Sequence, residues 1–396
     1  MKNIFSYIQG DRAIWGIVGL LALFSFLPVY SASSNLAYLY GDGSTLPYLF
    51  RHFAHLVLGF AILYGVHKIP YNYFRGLSII AIPVVILLLI ITMAEGTTIE
   101  GANASRWIRL PFVGITFQTS TLAGVVLMTY VARYLSRIKD KAVTFKETIL
   151  PLWMPVFIVL ALILPANFST TAIFFLMIVM LVFVGGYPLK YLGIILGAGL
   201  IFLTLFVLSA KAFPGFFPNR VDTWISRVEN FTDNKDTEAD YQIEKAKIAI
   251  ASGGITGLGP GKSVQKNFLP QSSSDFIYAI IVEEFGLFGG LFLMVLYLFL
   301  LFRIVVVAHK STSVFGKLLV IGVGMPIVFR AMINMAVAVE LFPVTGQNLP
   351  LISSGGTSIW MTCLALGMVL SVSAKREIVA KEDKEENPLD ILSEAI

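Results

Sequence analysis

Long apolar stretches recur along the whole of this chain of 396 residues, of which 57% are hydrophobic and 13% are charged. Each stretch has roughly 17 to 25 residues, the length with which an α-helix crosses the hydrocarbon core of a bilayer. Inside lipid a backbone must satisfy its own hydrogen bonds, which a helix does and an irregular segment does not. The sequence therefore predicts an all-α integral membrane protein with about ten transmembrane helices. The predicted spans are 13–32, 52–67, 76–94, 117–136, 149–165, 169–186, 191–210, 276–306, 314–340 and 355–373.

Lysine and arginine are unevenly distributed between the two sets of predicted loops. The side of the N-terminus carries most of them, whereas the short loops of the other side carry only Arg51, Arg106 and Arg109. Positive charge near short loops resists translocation, so the basic side is cytoplasmic. We expect both termini in the cytoplasm and one polytopic membrane unit over 1–376. Its large extracytoplasmic loop, 211–275, lies between spans 7 and 8.

Three further features of the chain are less decisive. The second span is short and carries His55, so that alone it also fits a re-entrant segment, although the parity of the other loops favours a full crossing. The charged tail 377–396 fits either a docking segment for a cytoplasmic partner or a disordered end, and we favour disorder. The net charge of +5 follows from the topology, and no basic patch interleaved with aromatic residues indicates nucleic-acid binding.

A single carboxylate stands at the end of the large loop, where water gives way to the eighth apolar span. Asp275 follows the polar run 271–274 and precedes Phe276 and Ile277. A carboxylate that is partly removed from water holds a proton more readily and is a plausible general base near neutral pH. Asp275 is therefore the candidate catalytic residue.

The second half of the same loop is basic. From 245 to 274 it contains Lys245, Lys247, Lys262 and Lys266 and no acidic residue before Asp275. Such charge suits either a phosphate-bearing lipid headgroup bound as substrate or simple contact with anionic lipid.

A glycine run lies between these lysines. Five glycines between 253 and 261 indicate an irregular backbone that can approach a ligand closely. Ser252, Gly253 and Gly254 are the candidate cavity-lining residues of this run. Its end, Gly-Lys-Ser, resembles a phosphate-binding P-loop, but that motif needs a glycine where Thr256 stands, so a nucleotide site is not favoured.

Two other loops on the extracytoplasmic side carry candidate site residues. Arg106 precedes Trp107 after the third span, and it fits either an interfacial anchor or a guanidinium that contacts phosphate in bidentate fashion. The loop 341–358 contains two prolines and the pair Gly355 and Gly356. These residues indicate broken helix, which is tolerated at membrane depth where it lines a wet cavity. The loop is thus either a site wall or an ordinary turn.

Few polar groups fall inside the predicted spans, where hydrocarbon makes them costly. They could act directly in catalysis or form a structural polar network, and we favour the network. They include Glu283, Glu284, Arg330, Asn334 and Glu340.

Several short motifs, in this order, resemble the SEDS family of bacterial peptidoglycan polymerases, whose members include FtsW, RodA and SpoVE. The resemblance extends from the first span to residue 376, and an FtsW-like chain is preferred to a RodA-like one. The motifs are Arg106-Trp107-Ile108 followed by Phe117-Gln118, Ser252-Gly253-Gly254 with Gly257 and Gly259, Leu269-Pro270 through Asp275-Phe276 to Glu283-Glu284-Phe285-Gly286, and Leu349-Pro350-Leu351-Ile352-Ser353 with Gly355-Gly356.

The resemblance implies a multi-pass protein of the bacterial cytoplasmic membrane with a defined activity. That activity is an inverting glycosyltransferase, which joins lipid II units into β-1,4 glycan strands on the outer face and releases undecaprenyl pyrophosphate. A single-span class B penicillin-binding transpeptidase is the implied partner, with other proteins of a division or elongation complex. Septal division and side-wall growth both remain open. Two rival functions also fit the chain, a lipid II flippase and an inactive scaffold for the transpeptidase.

The resemblance also implies roles for individual residues. Asp275 matches the family's essential aspartate, which implies that it deprotonates the 4-hydroxyl of the acceptor's N-acetylglucosamine. Arg106, Arg220 and Lys247 match positions that neutralise the leaving pyrophosphate, and Lys262 is a candidate by position alone. Whether Mg²⁺ or Mn²⁺ shares this work is left open. The remaining family positions are Gln118 for substrate binding and Ser252, Gly253, Gly254, Pro350, Ser353, Gly355 and Gly356 for the cavity wall.

The chain departs from the family pattern at several positions. Many members continue from the glutamine of the fourth span with Pro-Ser-Glu and then a lysine, whereas this chain has Thr121 at the glutamate position and no lysine up to Gly124. Loss of both partners of an ion pair is tolerated better than loss of one, because no unpaired buried charge is left. Asn167, Gln271 and Ser354 likewise stand where members have an aspartate, a glutamate and a tyrosine.

Overall fold

The computed structural model describes residues 8–40, 43–96, 106–109, 116–139, 141–212 and 238–385, and it is largely helical. Two short antiparallel strands pair Trp107 with Gln118 and Arg109 with Thr116. The elements are α1 (Arg12–Tyr40), α2 (Leu46–Lys68), α3 (Asn72–Glu95), β1 (Trp107–Arg109), β2 (Thr116–Gln118), α4 (Thr119–Ile138), α5 (Phe145–Thr148), a π-helical turn (Ile149–Trp153), α6 (Met154–Ile163), α7 (Phe168–Val184), α8 (Leu189–Ala212), α9 (Glu238–Gly253), a 3₁₀ turn (Gln265–Asn267), α10 (Ile277–Lys310), α11 (Val314–Ala338) and α12 (Gly356–Glu385).

The predicted all-α membrane fold is confirmed, because a helix overlaps each of the ten predicted spans. Seven of the described helices are long and apolar enough to cross a bilayer when α5, the π-helical turn and α6 are counted as one helix, Phe145–Ile163, and Phe168–Val184 and Leu189–Ile201 are shorter apolar helices. α4 is less apolar than these, since Arg133 and Arg137 lie in its last two turns. The number of ten crossings therefore stays a prediction. α12 continues to Glu385 and so includes the first part of the tail, and the predicted disorder of 377–396 stays a prediction.

Glycines allow α2 and α12 to pack closely together. A Cβ on Gly59 would lie 2.9 Å from Ile359 Cγ2 and 3.0 Å from Cys363 Sγ, and a Cβ on Gly367 would lie 2.9 Å from Val66 Cβ. Between membrane helices, where no hydrophobic force favours association over lipid, such close backbone approach supplies the packing energy. The N-terminal end of α12, which borders the candidate site, is thereby held in place.

A second apolar core lies at the end of the bundle where α10 begins and α11 ends. Here α9 lies against both helices. Ile243 and Ala246 of α9 are buried against Phe276, Ile280 and Val337. The described second half of the large loop is thus a packed part of the molecule, and it fixes the residues that lead into α10.

The opposite end of α10 is fixed by an ion pair. Asp11 caps α1 by accepting hydrogen bonds from the N–H groups of Ala13 (3.0 Å) and Ile14 (3.2 Å). The same carboxylate pairs with the guanidinium of Arg303 on α10. Both ends of α10 are therefore anchored, one by apolar packing and one by charge.

Candidate active site

Asp275 lies at the end of a tight turn, two residues before α10 begins. Gln271 adopts a positive φ of 55°, and its carbonyl accepts hydrogen bonds from the N–H groups of Ser274 (3.0 Å) and Asp275 (3.2 Å). Asp275 is partly buried, as its position in the sequence predicts. Its Oδ2 lies 3.4 Å from the point at which a Cβ on Gly346 would stand, and Gly346 itself has a φ of +65°. Glycine at 346 therefore keeps the space beside the carboxylate open.

Asn334 joins the turn to the loop that follows α11. Its side chain is buried, and its Nδ2 donates to the carbonyl of Asp275 at 2.6 Å and to the carbonyl of Gln347 at 2.7 Å. One amide group thus holds the main chains of two separate segments. The predicted role of Asn334 in a structural polar network agrees with this geometry.

The network continues from Gln347 towards Arg106. Gln347 Nε2 donates to Thr170 Oγ1 at 3.0 Å, and the N–H of Thr170 donates to Asn167 Oδ1 at 3.1 Å. Asn167 is the N-cap of α7, a position in which asparagine and aspartate serve equally well. Arg106 Nε donates to the carbonyl of Ala166 at 2.9 Å. Arg106 and Asp275 are therefore parts of one hydrogen-bonded arrangement.

The loop before α12 is tied to the residues that precede Asp275. Ser353 Oγ donates to the carbonyl of Ser274 at 2.6 Å and accepts from the N–H of Leu349 at 2.8 Å. The N–H of Ser354 donates to the carbonyl of Ser273 at 2.9 Å. This broken segment is thus bonded to the turn that carries Asp275, and its role as a wall of the site, with Pro350 and Ser353, stays a prediction.

Gln118, Gly355 and Gly356 lie around the start of α12. The N–H of Gln118 donates to Thr357 Oγ1 at 3.3 Å, which joins the strand pair to α12. A Cβ on Gly356 would lie 2.6 Å from Cε1 of His55, and one on Gly355 would lie 2.9 Å from Asn348 Nδ2. These glycines serve close packing, and their predicted place in the cavity wall stays a prediction.

Two of the three basic candidates in the large loop are described by the structure. Lys247 Nζ lies 2.6 Å from Glu340 Oε2, and the side chains are 51% and 40% exposed. Lys262 is exposed, with its Cδ 3.4 Å from the point at which a Cβ on Gly259 would stand. Arg220 lies outside the described residues. An anion that binds Lys247 has to compete with Glu340, which sequence reasoning did not anticipate.

Glu283 and Glu284 are buried and organise the loop from within. Glu283 Oε1 accepts from the N–H groups of Val264 (3.0 Å) and Gln265 (3.3 Å), and Glu283 Oε2 accepts from the hydroxyl of Ser263. Glu284 Oε1 accepts from the hydroxyl of Ser31 and from the N–H of Ser263 at 3.3 Å. Both carboxylates belong to the structural polar network that the sequence predicts.

The glycine run packs against a break in α10. Gly286 has φ 66° and ψ −167°, which interrupts the helix. The N–H groups of Leu258 and Gly259 donate at 2.9 Å to the carbonyls of Glu283 and Glu284, which the break leaves free of helical partners. A Cβ on Gly257 would lie 2.2 Å from the Glu284 carbonyl oxygen.

The first residues of the run have different surroundings. A Cβ on Gly253 would lie 2.1 Å from the carbonyl oxygen of Val282, whereas one on Gly254 would meet nothing within 4 Å. Ser252 is exposed, and its hydroxyl donates to the carbonyl of Ala249 at 3.0 Å. Backbone packing thus accounts for Gly253 and Gly257, while the cavity-lining role of Ser252, Gly253 and Gly254 stays a prediction.

Sequence reasoning did not identify Gln347, Thr170 or Gly346 as site residues. The available signal was weak, since Gln347 and Gly346 are a polar residue and a glycine in an apolar loop. Within the described ranges, no group of three His, Cys, Asp or Glu side chains lies close enough to hold a metal ion.

Comparison with known proteins gives a consistent result along nearly the whole chain. Residues 11–378 match the model of a family described as cell cycle protein, FtsW/RodA/SpoVE. A probable peptidoglycan glycosyltransferase FtsW of Hydrogenovibrio crunogenus is 31% identical over 382 residues, which cover 94% of each chain. One of the same description from Geobacter metallireducens is 32% identical, over 95% of this chain and 96% of the relative.

Solved structures share the fold. The rod shape determining protein RodA of Thermus thermophilus superposes with a TM-score of 0.66 at 23% identity, over 93% of this chain and 97% of RodA. A chain solved in work on the structural coordination of polymerization and crosslinking by a peptidoglycan synthase complex superposes with a TM-score of 0.70 at 24% identity, over 93% of this chain and 98% of the other.

Proposed function

The chain belongs to the FtsW/RodA/SpoVE family of cell cycle proteins, and we propose that it is an FtsW-like peptidoglycan glycosyltransferase. It polymerises lipid II into β-1,4 glycan strands at the outer face of the bacterial cytoplasmic membrane. The protein itself is a multi-pass membrane protein.

The observation that carries this proposal is the placement of Asp275. The carboxylate is partly buried beside Gly346, and its main chain is bonded on one side to Gln271 and on the other to Asn334. A general base must be held in a fixed position at the reacting atom, because misplacement by about 1 Å costs rate. The rigid support of Asp275 suits that task.

The proposed reaction is a single displacement. Asp275 takes the proton of the 4-hydroxyl of the acceptor's N-acetylglucosamine. The hydroxyl oxygen forms a bond to the anomeric carbon of the donor's N-acetylmuramate, while the bond from that carbon to the phosphate oxygen breaks. The electron pair of that bond leaves with undecaprenyl pyrophosphate. Attack opposite the leaving group inverts the α-linked donor into a β-1,4 link, as in the single-step reaction of inverting glycosidases.

Cations at the site stabilise the charge that develops on the leaving pyrophosphate. Arg106 is suited to this role, since the bond from its Nε to the carbonyl of Ala166 orients the guanidinium and arginine matches phosphate in bidentate fashion. Lys247 and Lys262 are exposed on the same loop. Lys247 joins the site when the phosphate replaces Glu340 as its partner. Arg220 is proposed from the sequence motif alone.

We further propose the orientation and the partner of the protein. Both termini face the cytoplasm, and the site opens to the outer face, where lipid II presents its sugars. A single-span class B penicillin-binding transpeptidase binds the chain and crosslinks the strands. This partnership is supported by the fold shared with a chain from work on a peptidoglycan synthase complex.

The proposed function is tested with purified lipid II and the detergent-solubilised chain in complex with its transpeptidase, whose crosslinking is blocked by a β-lactam. Glycan strands are then separated by gel electrophoresis. A polymerase yields long strands in detergent, where no membrane separates two compartments. A flippase or a scaffold yields none while the complex stays intact, and that result would reject the proposal.

A further inference from the structure

A cavity lies inside the helix bundle next to the segment that forms the candidate site wall. It is bounded by α4, α7, α11, α12 and the loop before α12. The polymerase reaction proposed above does not use it. The residues that matter to its chemistry are Thr121, Gly124, Phe174, Arg330, Pro350 and Thr362.

Arg330 is the one charged residue among those that line this cavity. Its guanidinium carbon lies 4.9 Å from the centre of the Phe174 ring. In the part of the chain that the structure describes, Arg330 forms no salt bridge, and its enclosed Nε has no hydrogen-bond partner. A cation inside the membrane-spanning bundle is therefore in contact with an aromatic face but not with an acceptor.

Such a charge requires compensation. The guanidinium stays protonated in proteins, so it cannot escape by losing a proton. A cation–π contact stabilises a guanidinium less than the removal of that ion from water destabilises it. Ionisable groups in membrane spans accordingly pair with an acceptor. Phe174 alone does not balance the charge of Arg330.

Thr121 and Gly124 give the cavity a wall of small residues on α4. Gly124 is covered by the Phe174 ring, since a Cβ there would lie 2.2 Å from Phe174 Cζ. Thr121, on the same helix, lines the cavity with a neutral hydroxyl and supplies no charge to balance Arg330. The cavity therefore lies next to the guanidinium of Arg330, which has no acceptor of its own among the described residues.

The two threonine hydroxyls of the cavity have no proton left to donate to an occupant. Thr121 Oγ1 donates to the carbonyl of Gln118 at 2.7 Å, and Thr362 Oγ1 donates to the carbonyl of Ser358 at 2.7 Å. Both hydroxyl protons are thus committed to their own helices. A negatively charged occupant would be held by the guanidinium and otherwise surrounded by apolar atoms, which favours a small, weakly hydrated anion over a strongly hydrated one.

We propose that this cavity is a binding site for a small monovalent anion of the halide class, held by the guanidinium of Arg330. The anion serves as the counter-ion that Arg330 lacks among the residues that the structure describes. Asn334 lies one helical turn further along α11 on the same face and bonds to the carbonyl of Asp275. Anion binding therefore stabilises the part of α11 that supports the candidate site.

The experiment is thermal unfolding of the detergent-purified full chain, with sodium chloride or sodium bromide compared with sodium gluconate at equal ionic strength. A ligand of the folded state raises Tm with its concentration. We expect Tm to rise with halide and to level off, with bromide at least as effective as chloride. Arg330→Gln should lose this dependence, whereas Lys317→Gln, an exposed lysine outside the cavity, should keep it.

A second variant guards against failure of Arg330→Gln to fold. Thr121→Glu places a carboxylate on the cavity wall, so it should raise Tm in gluconate and abolish the halide dependence. Equal Tm values for the wild type in halide and gluconate would overturn the proposal. Such a result would mean that the cavity holds a permanently bound lipid phosphate or only water. Unchanged halide dependence in Thr121→Glu and Arg330→Gln would overturn it as well. Because stability is the readout, failure here leaves the polymerase proposal untouched.

Discussion

At the scale of the residue, Asp275 is positioned through its main chain. Gln271 accepts from its N–H, and Asn334 donates to its carbonyl. Asn334 also donates to the carbonyl of Gln347, so a single buried amide sets the distance between the carboxylate and the opposite loop. The carboxylate was predictable from its place at a polar to apolar boundary. Asn334 was recognisable only as a buried polar group, because its two partners are main-chain atoms far away in sequence.

Arg106 provides the first residue-scale prediction. Arg106→Ala removes the guanidinium that is proposed to bind the donor's pyrophosphate. A hydrogen bond to a charged group contributes about 1.5 to 3 kcal/mol, so the apparent KM for lipid II should rise about ten-fold or more. Strand synthesis at varied lipid II measures this effect. Arg109→Ala is the control and should change little, because Arg109 is an exposed arginine at the end of β1, three residues after Arg106.

The same variant separates substrate binding from a merely structural role. Binding of the transpeptidase to Arg106→Ala should equal that of the wild type in a pull-down. If transpeptidase binding falls as much as donor use, Arg106 is a structural residue, and its proposed contact with pyrophosphate is wrong.

The pair of Lys247 and Glu340 provides the second residue-scale prediction. An exposed ion pair contributes about 0 to 1 kcal/mol, so phosphate can displace Glu340 readily. Glu340→Gln should lower the apparent KM for lipid II and Lys247→Ala should raise it, each by up to about five-fold on that scale. Lys245→Ala, whose ammonium lies 5.1 Å from the Tyr241 ring, serves as the control. Changes in the same direction for both variants would mean that the pair acts only in folding.

At the scale of the element, the central feature is the break in α10. Gly286 interrupts the helix and leaves the carbonyls of Glu283 and Glu284 without helical partners. The glycine run supplies the N–H groups that bond to these two carbonyls. Buried main-chain groups need such partners. Glu283 and Glu284 then hold the rest of the loop through their carboxylates.

Gly257 tests this arrangement. Gly257→Ala adds a Cβ 2.2 Å from a carbonyl oxygen at a φ of +81°. It should lower the free energy of unfolding by about 3 kcal/mol or more, because overpacking costs about 1 to 3 kcal/mol and the left-handed conformation about 1 to 2. Gly254→Ala is a matched control with φ +54° and open space around it, and it should show only the conformational cost. Equal losses of Tm in the two variants would contradict the packing argument.

The helices were predictable from the sequence and the glycine run was only partly so. Apolar stretches of spanning length predicted the ten segments that each overlap a described helix, since burial in lipid demands such stretches. Glycine density between 253 and 261 indicated an irregular backbone, but not that its partner is a helix break some 25 positions later. Contacts between distant segments leave no local pattern, so the packing of this run against the helix break could not be predicted.

At the scale of the whole molecule, the orientation of the chain is open to direct test. Cys363 is buried, so Cys363→Ser gives a background without thiols. We expect Lys262→Cys to react with a membrane-impermeant maleimide in intact cells. Lys317→Cys, in the first turn of α11, should react only after permeabilisation, because positive charge retains this end of the helix in the cytoplasm. The reverse labelling pattern would mean that the topology is opposite to the predicted one and that Asp275 lies on the cytoplasmic side.

The central claim is that Asp275 is the base of a glycan polymerase, and the most direct test is strand synthesis from lipid II by the complex with Asp275→Asn. This substitution keeps the shape of the side chain and removes its ability to take a proton, so strands should disappear while Tm and transpeptidase binding stay at wild-type values. Glu244→Gln, an exposed carboxylate on α9, should polymerise normally. Strand synthesis by Asp275→Asn at the wild-type rate would contradict the account.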